Sequence, residues 1–180
     1  MDPLKIIEKY YNTQSDVYHI LISHSRSVAN KALLIAEEHP EMNLDLRFIE
    51  EAAMLHDIGI IKCNAPDIDC HGTFEYICHG YLGADMLREE GYPIHALVCE
   101  RHTGTGLSRR MIEEKNLPLP HKNFMPVSLE EQLICFADKF FSKTKLHKER
   151  SISKVQESIN KYGEDTVLRV NHWCKLFLVK

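Results

Sequence analysis

Four histidines and two aspartates, His24, His56, Asp57, His79, His102 and Asp138, fall where helical spacing turns them toward the interior of the fold. Burying such groups unpaired costs roughly 1 to 3 kcal/mol each, and far more when they are charged. One inward histidine is ordinarily a core residue bonded to a carbonyl. Six convergent imidazoles and carboxylates have fewer ways to be satisfied, and a divalent cation satisfies several of them together through neutral ring nitrogens and charged oxygens. His56 and Asp57 are adjacent in AAMLHDIGIIK (52–62). Neighbouring helical residues diverge by about 100° around the axis, so one helix end can supply a terminal ligand, His56, and a bridging one, Asp57. Gly59 is expected to let the backbone turn away beneath them.

The elements that must position these residues read as helices. From Ser15 to Glu38 the apolar residues Val17, Leu21, Val28, Ala32 and Ile35 keep helical spacing, and His24 fills the gap in the series. Pro40 ends this helix. Asp45 caps the next, on which Ile49, Ala52, Ala53 and His56 share a face. Residues 62–73 lack periodicity and read as a loop or lid. A third helix over about 74–90 carries His79 in register with Leu82 and Met86, and a fourth over about 94–102 aligns Ile94, Val98 and His102. A short helical piece falls near 108–116. Ser128 to Glu131 is a capping box that opens a helix running to about Leu146, with Ile134, Asp138 and Phe141 on one side. Two closing helices cover about 151–162 and 164–178, separated by Gly163, and no strand is expected. The reading is an all-α single domain over 1–180, a helical bundle with its core in 15–146 and a C-terminal helical pair in 151–178.

Twenty-two basic against 26 acidic side chains give no whole-molecule attraction to nucleic acid or an anionic membrane. The N-terminus does not resemble a secretory signal, and no apolar run approaches the ~20 residues of a membrane span. A cytoplasmic protein is expected, as a monomer or homodimer, with neither membrane nor nucleic acid as a partner. Cys63, Cys70, Cys78, Cys99, Cys135 and Cys174 are dispersed and read as reduced thiols filling the core. The basic run from Lys139 to Lys154 reads as a solvated helix face and linker.

The order H24, HDIG at 56–59, H79, H102, D138, with the segments HGYLGADML, ERHTGTGLS and ICFADKF, resembles the HD phosphohydrolase superfamily in its stand-alone, six-ligand HDIG form. The likeness runs over about 24–141. It implies an HD-domain helical bundle in which His24, His56, Asp57 and Asp138 hold one divalent ion and Asp57, His79 and His102 a second, with iron first and manganese or zinc as alternatives. It also implies hydrolysis of a phosphoester or phosphoanhydride bond in a nucleotide or other small phosphorylated molecule. Two ions about 3.5 to 4 Å apart lower the pKa of a shared water and neutralise phosphoryl charge, which places Asp57 among the catalytic residues. Many members continue HDIG with a lysine, whereas Ile60 follows here and the lysine comes at Lys62. Lys62 and a loop-borne His71 are the further catalytic candidates, and Arg101, Thr103 and Lys139 the candidates for substrate binding. The same ligand arrangement also serves mixed-valent di-iron oxygenases, and a nucleotide-binding sensor without turnover is the non-enzymatic alternative.

Overall fold

The computed structural model describes residues 1–179. The first helix, α1 (Pro3–Ile7), leads into the long α2 (Asp16–Glu38), whose N-cap Ser15 accepts a hydrogen bond from the amide of Tyr18. Helix α3 (Leu46–Leu55) is capped by Asp45 through the Phe48 amide, as its position ahead of the apolar series predicts. After it the chain tightens into a 3-10 turn, Ile58–Lys62. Then come α4 (His79–Glu89), α5 (Pro93–Arg101), the short α6 (Arg109–Glu114), α7 (Leu129–Asp138), α8 (Ile152–Ile159) and α9 (Glu164–Phe177).

Two large apolar clusters, with a smaller one around Ile112 and Phe124, hold the bundle together. One gathers Val28 and Ala32 of α2, Ile49 of α3, Phe136 of α7, Val155 of α8 and Trp173 of α9. The other joins Ile7 of α1, Leu21 of α2, Leu55, Ile58, Met86 of α4 and Cys99 of α5. Full burial of an aliphatic or aromatic side chain stabilises by about 1.5 to 3 kcal/mol, and Trp173 further donates its Nε1 proton to Gln132 Oε1 at 3.0 Å. The closing pair therefore packs on its own chain. Leu21 belongs to one cluster and Val28 to the other, so His24, between them on α2, sits at the junction.

Three local expectations are corrected. Asn64–Ala65 (β1) and Cys70–His71 (β2) form a small antiparallel ladder, with Asn64 opposite His71. Asp69 closes this hairpin at φ 57°, a left-handed conformation that short polar side chains tolerate. Helix α4 begins at His79, because residues 76–78 wind as a tighter 3-10 turn. Helix α7 stops at Asp138, well short of Leu146. Past that point the amides of Lys139, Phe140 and Phe141 bond three residues back, and Ser142 Oγ accepts from the Thr144 amide. Serine competing locally for backbone partners favours such a break. The basic run is thus mostly linker, on an irregular loop over 139–151, and only Lys154 stands on a helix, α8.

Candidate metal centre

Five of the six candidate ligands stand at helix ends. His56 caps the C-terminus of α3 with Asp57 next to it, His79 opens α4, His102 follows α5, and Asp138 is the last residue of α7. Only His24 comes from mid-helix. His24, His56, Asp57, His79 and His102 are buried, and Asp138 is mostly so.

The rings are locked from behind. The Nδ1 of His56 donates to the Ala53 carbonyl (2.6 Å), that of His79 to Tyr76 (2.6 Å) and that of His102 to Cys99 (2.7 Å). A carbonyl only accepts, so each Nδ1 carries the proton and each neutral ring presents a bare lone pair at Nε2. These three Nε2 atoms, and that of His24, converge on Asp57. Its Oδ2 lies 3.0 Å from His56 Nε2 and 3.2 Å from His24 Nε2, while its Oδ1 lies 3.3 Å from both His79 and His102 Nε2. Asp138 Oδ1 is 3.0 Å from His24 Nε2 and 3.6 Å from His56 Nε2.

Acceptors facing acceptors across 3 Å repel unless a positive charge lies among them. Consistently, His56 Nε2 and both oxygens of Asp57 are buried without a hydrogen bond of acceptable geometry. The ligand atoms fall into two sets, His24, His56, Asp57, Asp138 and Asp57, His79, His102, within each of which all lie inside 4.8 Å of one another. Asp57 is common to both. This donor set fits two divalent cations sharing one carboxylate.

Without a cation among them the rings divide: His56 is held protonated by the carboxylates and His79 is kept neutral. Burial alone lowers the pKa of His56, yet Asp57 and Asp138 beside it push it up to about 9. His79 goes the other way, down to about 3, through burial first and His102 second. Burial raises the carboxyl pKa of Asp57, but His56 and Lys143 outweigh it and hold that pKa well below the usual range.

Two lysines complete the first layer. Lys143 Nζ lies 2.6 Å from Asp57 Oδ2, and Lys139 Nζ lies 2.7 Å from Asp138 Oδ2. Tyr76 stacks on the ring of His79, their centroids 4.6 Å apart. The centre opens into a cleft of about 890 Å³ whose wall also carries Thr103 to Leu107 and the cations Lys115, Arg150 and Lys161.

The family described as HD domain matches residues 21–143, a stretch that includes all six of these side chains. The chain belongs to the HD domain family. It is 32% identical over 152 residues to a tRNA (cytidine(56)-2′-O)-methyltransferase of Thermoplasma volcanium, a match covering 83% of this chain and 39% of that one. An uncharacterized protein of Methanocaldococcus jannaschii, MJ0778, is 33% identical over 128 residues, with 69% and 68% covered. The chain spans about two fifths of the length of the methyltransferase relative. Its fold is shared with the crystal structure of the HD domain of L. monocytogenes phosphodiesterase PgpH in complex with cyclic-di-AMP, at a TM-score of 0.57 and 19% identity over 93% of this chain and 85% of that one. The expectation of an all-helical domain from the HD superfamily of metal-dependent hydrolases is borne out at the level of family and fold.

Within this HD domain the remaining sequence candidates separate. Thr103 and Lys139 line the cleft. Arg101 does not, being drawn to Glu131, with Nη1 at 3.0 Å from Oε2. Lys62 is exposed outside the cleft wall, and His71 is exposed and paired with Asp69 at 2.9 Å, so the structure brings neither to the centre. The residue that the sequence reading missed is Lys143. On a continued helix it would lie about 140° around the axis from Asp138, and only the break after α7 returns it to Asp57. Gly59 also has a different role from the expected turn. A Cβ there would sit 2.1 Å from the His79 carbonyl oxygen and 2.4 Å from the Gly83 nitrogen, so the glycine lets the 58–62 turn press against α4.

Proposed function

We propose that the protein is a phosphohydrolase that cleaves a phosphoester or phosphoanhydride bond of a nucleotide or other small phosphorylated molecule. The observation that carries this is the convergence of four imidazole Nε2 atoms on the two oxygens of Asp57, beneath a cleft whose free charges are mostly cationic. A pair of divalent ions, when bound, supplies Lewis-acid activation of water and neutralises phosphoryl charge. The imidazole and carboxylate donors suit iron, manganese or zinc, and we favour iron.

The chain's own groups do the rest. His24, His56 and Asp138 hold one side of Asp57 and His79 and His102 the other, and the Nδ1 bonds to Ala53, Tyr76 and Cys99 keep the rings from turning. Lys139, Lys143 and Arg150 offer positive charge to a phosphate entering the cleft. The amides of Thr103 to Thr105 are further donors, on a turn closed by the Gly106 amide donating to the Thr103 carbonyl at 3.0 Å, with Gly104 and Gly106 at positive φ. Residues 1–180 act as one HD domain. The solved relative's complex with a cyclic dinucleotide supports a nucleotide-sized ligand. The methyltransferase relative extends far beyond the shared span, and methyl transfer is not carried over from it.

The test is a panel of nucleotides, dinucleotides and phosphosugars, assayed for phosphate or nucleotide release with added Mn²⁺ or Fe²⁺ and with oxygen uptake followed in parallel. Release without oxygen consumption is expected. Stoichiometric oxygen uptake without release would replace this reading with an oxygenase, and tight binding without either would replace it with a sensor.

A further inference from the structure

Beside the main cleft lies a second pocket of about 360 Å³, reached past Ser142, Thr144, Arg150 and Ser158, which wall both spaces. Its other wall residues are Lys145, Lys148, Lys154 and Glu149. The lone acid is turned away, its Oε1 2.8 Å from Lys31 Nζ. Lys145, Lys148, Arg150 and Lys154 form no ion pair among the described residues, although the chain as a whole is acidic. Four unpaired cations around one small concavity repel one another, and an anion relieves that repulsion.

The loop that carries Lys145, Lys148 and Arg150 is held in place, and Lys154 stands on the first turn of α8. The Arg150 amide donates to the Phe140 carbonyl at 2.8 Å and closes the excursion, and His147 Nε2 lies 3.2 Å from Ser23 Oγ, one residue before the ligand His24. His147 sits at φ 60°, a conformation that costs a non-glycine residue about 1 kcal/mol or more and persists only where its surroundings hold it. The pocket is therefore tied both to α2 and to the end of α7.

We propose that this pocket is a second phosphate subsite. Resting on the hydrolase reading for the phosphate at the metal centre, it assigns the substrate to molecules with a further phosphate along the chain, a short oligonucleotide or linear dinucleotide in preference to a nucleoside monophosphate or phosphosugar. One phosphate lies at the metal centre, and the next lies against Arg150 and the three lysines.

The test compares the affinities of phosphorothioate-linked TpT, pTpT and pTpTpT by calorimetry with the full chain in Mn²⁺ buffer. The longer, more phosphorylated ligands are expected to bind about tenfold or more tightly than TpT, as one added charge-assisted contact would give. The triple substitution Lys145→Ala, Lys148→Ala, Lys154→Ala removes that preference, and the corresponding triple arginine variant keeps it. All three side chains are exposed, which spares the core. A preference that survives in the alanine variant, or its absence in the native chain, overturns the subsite. Turnover of bis-(p-nitrophenyl) phosphate by the same preparations reports separately on the hydrolase reading. Turnover without length preference removes only the subsite, and a lysine-dependent preference without turnover removes only the hydrolase.

Discussion

Lys143 Nζ stands 2.6 Å from Oδ2 of Asp57, a fully buried carboxylate that also faces four imidazoles. The ammonium supplies positive charge where the ligand set demands it. Asp57 in turn raises the lysine pKa against the opposing effect of burial, which favours the charged pair.

Removing one partner of a buried pair strands the other, at a cost of about 3 to 5 kcal/mol. Lys143→Met is therefore expected to lower the melting temperature of EDTA-treated protein strongly, and that of Mn²⁺-loaded protein much less. Calorimetric scans of both forms check this. Equal losses would mean that the ammonium and the metal do not serve the same carboxylate.

Asp57 belongs to both ligand sets. Asp57→Asn should cut bound metal from about two ions per chain to one or none, and phosphohydrolase activity by at least about a hundredfold, since changes even outside the ligand shell cost 10- to 100-fold. Plasma mass spectrometry of metal-reconstituted protein reads the first effect, and the nucleotide panel the second. Retention of two ions would remove Asp57 as the bridge.

Gly59 bears on stability through contact. The Cβ of Gly59→Ala would meet the backbone of His79 and Gly83 well inside van der Waals distance, and backbone cannot step aside as a flexible side chain does. Overpacking of this kind costs about 1 to 3 kcal/mol, which lowers the melting temperature by roughly 2 to 12 °C for a chain of this size. Because the clash involves the residue carrying a ligand ring, metal affinity should fall along with stability. An unchanged melt would show that the turn relaxes freely away from α4.

The ion-free and loaded proteins should respond oppositely to alkali. His56, its pKa raised to about 9, contributes stability that is full below its unfolded value near 6.5 and lost as pH rises through 9. His79, lowered to about 3, contributes stability that is full above 6.5 and lost as pH falls toward 3. EDTA-treated protein should thus be most stable near pH 6.5 and weaken toward pH 9. Metal requires deprotonated imidazole, so the increment added by Mn²⁺ should grow over the same interval. Denaturant titrations at pH 6, 7.5 and 9, with and without Mn²⁺, compare the two slopes.

The cluster was legible in the sequence because helical periodicity places the candidate ligands His24, His56, His79, His102 and Asp138 in register with apolar neighbours, and each of those neighbourhoods is local. The capping side chains of Ser15, Asp45 and Ser128 were legible for the same reason. Lys143 was not. Its place depends on where α7 ends, a balance between helix continuation and the bonding of Ser142 and Thr144 that residue spacing does not reveal. Arg101 misled for the converse reason. It neighbours a ligand in the chain, but Glu131, far off in sequence, claims its guanidinium.

The carbonyls that hold the His56, His79 and His102 rings all belong to the residue three places earlier on the same stretch of backbone. Their aim is therefore inherited from main chain, and replacing any neighbouring side chain leaves the three anchors standing. Evolution can rewrite the walls of the cleft, and with them the choice of ligand, without re-aiming the rings at Asp57. Proline at His56, His79 or His102 would abolish ring and anchor together, whereas a shift of the helix end by a single residue would swing an imidazole off target with every residue type intact.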